Sequence, residues 1–192
     1  MLWFVTEQHS KVGLMETMTF DTALGEFGIG WTAQGIARLQ LPGLEHDALA
    51  ERINRDGAGA GEPTRTVAAV IGKIEDYAEG EPVDFSDVKL DLADLPEFHR
   101  RAYEALLKIK WGATTTYGAL ARELGDVTLS RAVGAAMGAN PIPLIIPCHR
   151  VLASDGKPGG FSAPGGAESK LRMLELEGVS VGTPAGQMTF GF

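Results

Sequence analysis

Polar and apolar residues alternate over residues 15–20 (Met-Glu-Thr-Met-Thr-Phe), and the segments 25–32 and 36–41 flank Ala33-Gln34-Gly35. This pattern predicts three strands, the last two joined as a hairpin. Leu44 to Arg55 reads as a helix, broken by the flexible loop Gly57-Ala58-Gly59-Ala60-Gly61. From Thr66 to Tyr77, Val67, Val70, Ile71 and Ile74 recur at helical spacing and predict an amphipathic helix. Val88 to Leu92 alternates again and predicts a further strand. The first half is therefore α+β. It holds no nucleophile–base pair and no metal cluster, and it reads as a scaffold.

The pattern changes at Leu95-Pro96. Phe98, Ala102, Ala105, Leu106 and Ile109 share one face of a helix over Phe98 to Ile109, with a proline suited to its start. Thr114-Thr115-Thr116 offers a cap for a helix over Tyr117 to Leu124, which Gly125 ends. Ser130 is the expected cap of Arg131 to Ala139. Two short helices across a brief turn form a helix-turn-helix candidate, a pattern more often found in plain helix packing than in DNA binding. Asn140-Pro141-Ile142-Pro143 stops the last of these helices, and the apolar, strand-like run Leu144-Ile145-Ile146 reads as buried. A Gly- and Pro-rich loop over 154–166 follows. A final helix over Ala167 to Glu177, with Leu171 and Leu174 inward, ends at Gly178. The uncharged tail 179–192 reads either as a strand or as disorder.

Charge sharpens the division. Residues 1–95 carry 7 Lys+Arg against 17 Asp+Glu, residues 96–178 carry 10 against 8, and residues 179–192 carry none. Only the second half could approach a phosphate backbone, and the acidic half is expected to face away from it. No apolar run approaches the roughly 20 residues that span a bilayer, and the start, Met1 to Glu7, lacks the pattern of a secretory signal. A single cysteine excludes an internal disulfide and any zinc site built on several cysteines, and a free thiol suits a cytoplasmic setting.

That cysteine is Cys148, in Pro147-Cys148-His149-Arg150-Val151. A lone cysteine is ordinarily a small buried core residue. Here its neighbours are an imidazole that can take a proton and a guanidinium that favours thiolate. At an ordinary thiol pKa of roughly 8.5 only a few per cent would be thiolate at neutral pH, so such neighbours matter. Adjacent side chains rarely point at one another, so His149 is expected to act on Cys148 through a water molecule. The other ring nitrogen needs an acceptor. Glu177 could serve, although taken alone it reads rather as an exposed helix glutamate.

The segment Asn140-Pro-Ile-Pro-Leu-Ile-Ile-Pro-Cys-His-Arg-Val151 resembles the active-site segment of the O6-alkylguanine-DNA alkyltransferases, or methylated-DNA–protein-cysteine methyltransferases. The resemblance extends to Thr116-Tyr117-Gly118, Arg131-Ala-Val-Gly134, Gly160-Phe-Ser162, Lys170 and Glu177-Gly178, and covers about residues 96–178. It implies a ribonuclease-H-like scaffold domain over 1–94 and a winged helix-turn-helix domain over 95–178. The activity implied is single-turnover DNA repair. Cys148 takes the alkyl group from O6-alkylguanine, with O4-alkylthymine a further substrate, and His149 and Glu177 take the thiol proton through water. Tyr117 hydrogen-bonds N3 of the leaving guanine, and Asn140 braces the turn before Cys148. Arg131 fills the gap left by the flipped nucleotide, with Thr116, Ala132 and Arg150 also at the DNA. Val151, Phe161 and Ser162 line the base pocket, the backbone of Cys148, Val151 and Ser162 holding the base. The implied partner is double-stranded DNA with an alkylated guanine. No cofactor, metal or membrane is implied, and the protein is expected to be a monomer.

Three positions depart from the pattern that the resemblance leads one to expect. Phe161 stands where Tyr is common, Trp111 where Pro is usual and without evident consequence, and the loop 162–166 is longer. Other readings of the chain are a non-catalytic relative that binds alkylated bases, a regulator whose cysteine senses alkylation, and a hydrolase with a Cys–His–Glu triad. The first typically has Trp at the cysteine position, the second would carry an added effector module, and the third would turn over repeatedly.

Overall fold

The computed structural model describes residues 15–181. Both termini, including the stretch Met1 to Glu7 and most of the tail 179–192, lie outside the described residues. The chain is a mixed α+β protein. Three antiparallel strands, β1 (Glu16–Thr22), β2 (Gly25–Thr32) and β3 (Gly35–Gln40), form a meander in the order expected. In β2 the large residues Phe27, Ile29 and Trp31 alternate with Gly28 and Gly30, and all three enter the core. The glycine face is left for α1 (His46–Asn54). A Cβ on Gly28 would lie 3.2 Å from Leu49 and Ile53, the two buried residues of that helix, so the bare backbone is what lets the helix sit down.

The other face of the sheet is covered by α2 (Arg65–Ala78), whose stripe Val67, Val70, Ile71, Ile74 and Tyr77 is buried as the periodicity predicts. Thr64 caps this helix by accepting from the Val67 N–H. Two first-half expectations change. The glycine-rich segment after α1 is not wholly loop, because Gly59–Ala60 forms a short strand, β4, parallel to β1. The alternating stretch 88–92 makes only one bridge, Ile36 to Leu90, held by hydrogen bonds from Ile36 N to Lys89 O and from Asp91 N to Ile36 O. A pair this short does not build a strand, whatever its alternation.

In the second half, α3 (Glu97–Leu106) stops a turn before Ile109. The pair α4 (Tyr117–Glu123) and α5 (Ser130–Gly138) packs across a tight link. Thr116 caps α4 through its Oγ1. Ser130 does not cap α5. It is the first residue of the helix, and its hydroxyl donates back to Val127 O at 2.6 Å across a 3-10 turn that Asp126 caps. Tyr103 of α3 donates from inside the core to Ala136 O at 2.7 Å, tying α3 to α5. A two-residue parallel pair, β5 (Thr115–Thr116) with β6 (Val151–Leu152), lies beside α4. The last helix, α6 (Gly166–Leu176), turns inward with Lys170, Met173 and Leu174, while Leu171 is only half-buried.

The two halves share one apolar core, which runs from Phe27 of β2 to Met173 of α6. They are also stitched by polar contacts. Leu39 N of β3 donates to Pro141 O at 2.9 Å, and Tyr77 at the end of α2 reaches Glu177 beyond α6. No helix among the described residues is long and apolar enough to cross a membrane.

Candidate active site

Cys148 sits on a single 3-10 turn, Cys148–Arg150, reached through a chain that turns repeatedly. The run Leu144-Ile145-Ile146 is buried as expected, but it is a compact turn rather than a strand. Ile146 N bonds Ile142 O, and Leu144 has a φ of 80°, a left-handed conformation that costs energy for a leucine and is held here by its burial. Asn140 fixes this turn from within. Its Nδ2 donates to Ile146 O at 2.9 Å and its Oδ1 accepts from Ile142 N at 3.0 Å.

Cys148 is 4% exposed. Burial pushes its thiol above the usual range and outweighs the opposing pull of Asn140, the Lys170 charge and nearby backbone N–H groups. The resting group is therefore a thiol, and reaction requires something to remove its proton.

His149 is fully buried. Its Nε2 lies 2.7 Å from Glu177 Oε1. Burial lowers the imidazole pKa more than Glu177 raises it, so the ring is neutral. Glu177 is ionised and can only accept, which places the ring proton on Nε2 and leaves Nδ1 as a lone-pair acceptor. That Nδ1 is buried and, among the described residues, without a hydrogen-bond partner. A polar atom in such a place calls for a water or a ligand.

Glu177 collects five donors. Oε1 accepts from His149 Nε2, from Arg150 Nη2 at 2.9 Å and from Tyr77 OH at 3.1 Å. Oε2 accepts from Arg150 Nε at 2.8 Å and from Gly112 N at 3.3 Å. Burial alone would raise the carboxyl pKa, but the bonds and charges of His149 and Arg150 win and bring it down to about 2. The carboxylate stands at the C-terminal end of α6, where the helix dipole disfavours it, so the cation beside it is required. Gly178, with a φ of 74°, then turns the chain away.

Arg150 corrects one expectation. It was expected at the DNA, but it is 6% exposed, forks both oxygens of Glu177 and donates from Nη1 to Ile109 O at 2.5 Å. Its charge is committed inside the protein. Three further residues of this network have no assigned role in the sequence reading. Tyr77 comes from the scaffold half. Trp111 meets the Tyr77 ring edge-on at 5.2 Å between centroids, so the departure from Pro at this position has a structural consequence after all. Gly112, with a φ of 71°, brings its N–H to the carboxylate at a spot where a Cβ would crowd Glu177 O at 3.2 Å. Tyr77 could have been found, because a tyrosine on the buried stripe of an amphipathic helix must place its hydroxyl somewhere polar.

Lys170 is also buried. Its Nζ donates to Val151 O at 2.6 Å and lies 5.9 Å from the ring centres of both Tyr117 and Phe161. Burial lowers its pKa to about 8. Tyr117 is half-buried at the start of α4, its phenol pushed up first by burial and further by the negative charge that Cys148 carries as a thiolate. Together with Gly134, Met137, Gly138, Gly160, Phe161 and Ser162 it lines a cavity of about 470 Å³ that Cys148 also borders. Small-molecule sites run from roughly 300 to 1,000 Å³. Ser162 donates to Gly138 O at 3.1 Å across this cavity's wall, and Val151 is buried behind it. Arg131 is exposed on the first turn of α5, Ala132 beside it is half-buried, and Thr116 is occupied as the cap of α4.

Fold and site thus define a protein with a single thiol at a cavity, backed by a buried histidine and carboxylate. Residues 97–179 match the family described as 6-O-methylguanine DNA methyltransferase, DNA binding domain. A methylated-DNA–protein-cysteine methyltransferase of Metallosphaera sedula is 42% identical over 113 residues, 59% of this chain and 69% of the relative. One from Methanothermobacter thermautotrophicus is 33% identical over 157 residues, 81% of each chain. The crystal structure of a Mycobacterium tuberculosis OGT in complex with DNA superposes with a TM-score of 0.70 at 32% identity, covering 84% of this chain and 92% of that one. The chain belongs to the methylated-DNA–protein-cysteine methyltransferase family.

The Glu177 network yields a stability prediction. A carboxyl held near 2 in the fold against 4.5 ordinarily stabilises the fold above about pH 4.5, and that contribution disappears as pH falls through 2. Glu177→Gln leaves Arg150 buried without its counter-charge and lowers unfolding free energy at pH 7 by about 3–5 kcal/mol. In urea titrations across pH, the gap between the two proteins should close between about pH 5 and pH 2. A gap independent of pH contradicts the network.

Proposed function

We propose that this protein repairs DNA by moving the alkyl group of O6-alkylguanine, and of O4-alkylthymine, onto Cys148 in a single irreversible turnover. The observation that carries the reading is the pairing of a buried, protonated thiol at a cavity with an unsatisfied His149 Nδ1 behind it, itself backed by Glu177. A water bonded to Nδ1 would pass the Cys148 proton to His149, and Glu177 would stabilise the resulting imidazolium. The thiolate then attacks the alkyl carbon in line, the S–C bond forming as the C–O6 bond breaks. The electron pair goes to the purine, whose N3 takes a hydrogen bond or proton from Tyr117. S-alkylcysteine is stable and nothing in the site reverses it, which distinguishes this reading from a hydrolase. The need for a reduced thiol fits a cytoplasmic setting, and one protein molecule per lesion requires no oligomer.

In this reading residues 1–94 are a ribonuclease-H-like scaffold and 95–178 a winged helix-turn-helix domain that binds duplex DNA. A base must leave the stack to reach Cys148, at a cost of a few kcal/mol that is smaller for a damaged pair. Arg131, exposed at the start of α5, fills the vacancy, with Thr116 and Ala132 alongside at the DNA. Backbone groups of Cys148, Val151 and Ser162, with the Phe161 ring, hold the base.

Incubation with duplex DNA containing O6-methylguanine should raise the intact mass by one methyl group. The gain should map to the Cys148 peptide and be absent in Cys148→Ala. An unmodified protein would overturn the reading. Arg131→Ala should slow repair of duplex DNA by roughly tenfold or more while leaving reaction with free O6-alkylguanine base within about twofold, because only the duplex needs flipping. Equal losses on the two substrates would remove Arg131 from that role.

A further inference from the structure

A second cavity, about 300 Å³, meets the first at the sulfur. Met137, Gly138, Cys148, Phe161 and Ser162 line both. Beyond them the two diverge. The first is closed by Tyr117, Gly134 and Gly160, and the second by the turn Asn140 to Pro143 and by Arg38, Gln40, Arg52 and Arg55 of the scaffold half. Among the described residues no carboxylate lines the second cavity. Such a wall is unusual in a half whose charge balance is strongly negative.

The three arginines are not equivalent. Arg38 is committed to Ile53 O at 2.9 Å, Arg55 O at 3.1 Å and the Asp56 carboxylate at 2.9 Å. Arg52 uses Nε on Gln40 Oε1 at 2.6 Å, and among the described residues its terminal nitrogens meet no acceptor. Arg55 faces Asp56 only at 3.6 Å and is largely exposed. Gln40 is buried, and its neighbour Leu39 is bonded to Pro141 O, so the wall is fixed relative to the turn that carries Cys148.

The geometry of displacement gives this cavity a content. Sulfur, carbon and O6 lie on one line at the transition state, so any substituent on the carbon projects sideways, beside the sulfur. With the purine in the cavity that holds Tyr117, the space left beside the sulfur is the arginine-walled one. We propose that this cavity receives the substituent on the transferred carbon, and that Arg52 and Arg55 favour substituents ending in a carboxylate, such as O6-carboxymethylguanine. The inference rests on the alkyl-transfer reading above. The thiolate bonds the methylene carbon, the C–O6 bond breaks with its electron pair going to the purine, and N3 takes a proton from the Tyr117 hydroxyl. The carboxylate keeps its charge throughout and ends on S-carboxymethylcysteine. Without a cation nearby, that charge would be repelled by the thiolate that must approach it.

The test uses three duplexes of one sequence, carrying O6-methylguanine, O6-carboxymethylguanine or its neutral analogue O6-carbamoylmethylguanine. Single-turnover rates are measured for the full-length protein and for the double variant Arg52→Gln, Arg55→Gln. Both positions are exposed on or beside α1, so the variant should keep its melting temperature and its rate on the methyl substrate within about twofold. The ratio of carboxymethyl to carbamoylmethyl rates should fall by roughly fivefold in the variant, the size of a partly exposed ion pair. In the unsubstituted protein that ratio should shrink as salt is raised. An unchanged ratio overturns the proposal. A uniform loss on all three substrates also overturns it, and assigns the arginines to DNA phosphate instead. Failure of the unsubstituted protein on O6-methylguanine would defeat the alkyl-transfer reading itself, and this proposal with it.

Discussion

A carboxylate that is 4% exposed and still ionised is the constraint around which this molecule is arranged. Glu177 stands at the wrong end of a helix for a negative charge, in a core that cannot solvate it. Its ionisation is sustained by five donors from four residues: Tyr77 at the end of α2, Gly112 after α3, and His149 and Arg150 on the turn of Cys148. Each donor fixes the element that carries it. The scaffold half is bound to the reactive turn through Tyr77, and the reactive turn to the last helix through Arg150. Removing any member leaves a buried charge or a buried dipole unmatched, which costs more than the pair contributes when complete.

The same arrangement decides what Cys148 can do. Because Glu177 is ionised and accepts from Nε2, His149 is held as one tautomer with its acceptor nitrogen unsatisfied. Because burial, assisted by the Arg150 charge, outweighs the pull of Glu177, the imidazole is not a permanent cation, and the ring stays able to take a proton. Burial meanwhile keeps the thiol protonated until it is called on. A resting thiol with a waiting base protects the cysteine, since premature ionisation would expose it to other electrophiles. Lys170, buried against Val151 O between Tyr117 and Phe161, adds a positive potential near the sulfur that favours the thiolate once formed.

Much of this was legible in the sequence, unevenly and for physical reasons. The helices over 65–78 and 97–106 and the strands over 16–40 follow from periodicity, because each buries one face. Cys148 and His149 stood out from their neighbours alone, and Glu177 became a candidate through resemblance. Arg150 was misplaced because an arginine beside a cysteine reads the same whether it points to solvent or to a carboxylate 27 residues away. Tyr77 lies 100 residues from its partner, so no local pattern could join them. Ser130 looked like a cap because capping residues are recognised by type, while the intervening 3-10 turn moved the helix start by one residue. Alternation over 88–92 suggested a strand, yet pairing needs a neighbour, and β3 offers it only one bridge.

The central claim is that His149, aimed by Glu177, deprotonates Cys148. It is tested most directly by the pH dependence of single-turnover methyl transfer in His149→Gln, measured with DNA at saturation. The rate at pH 7 should lie about 100-fold below that of the unsubstituted protein, the usual contribution of a general base, and recover as pH rises toward the elevated pKa of the thiol. A variant that transfers methyl groups at pH 7 within a few-fold of the unsubstituted rate would contradict it.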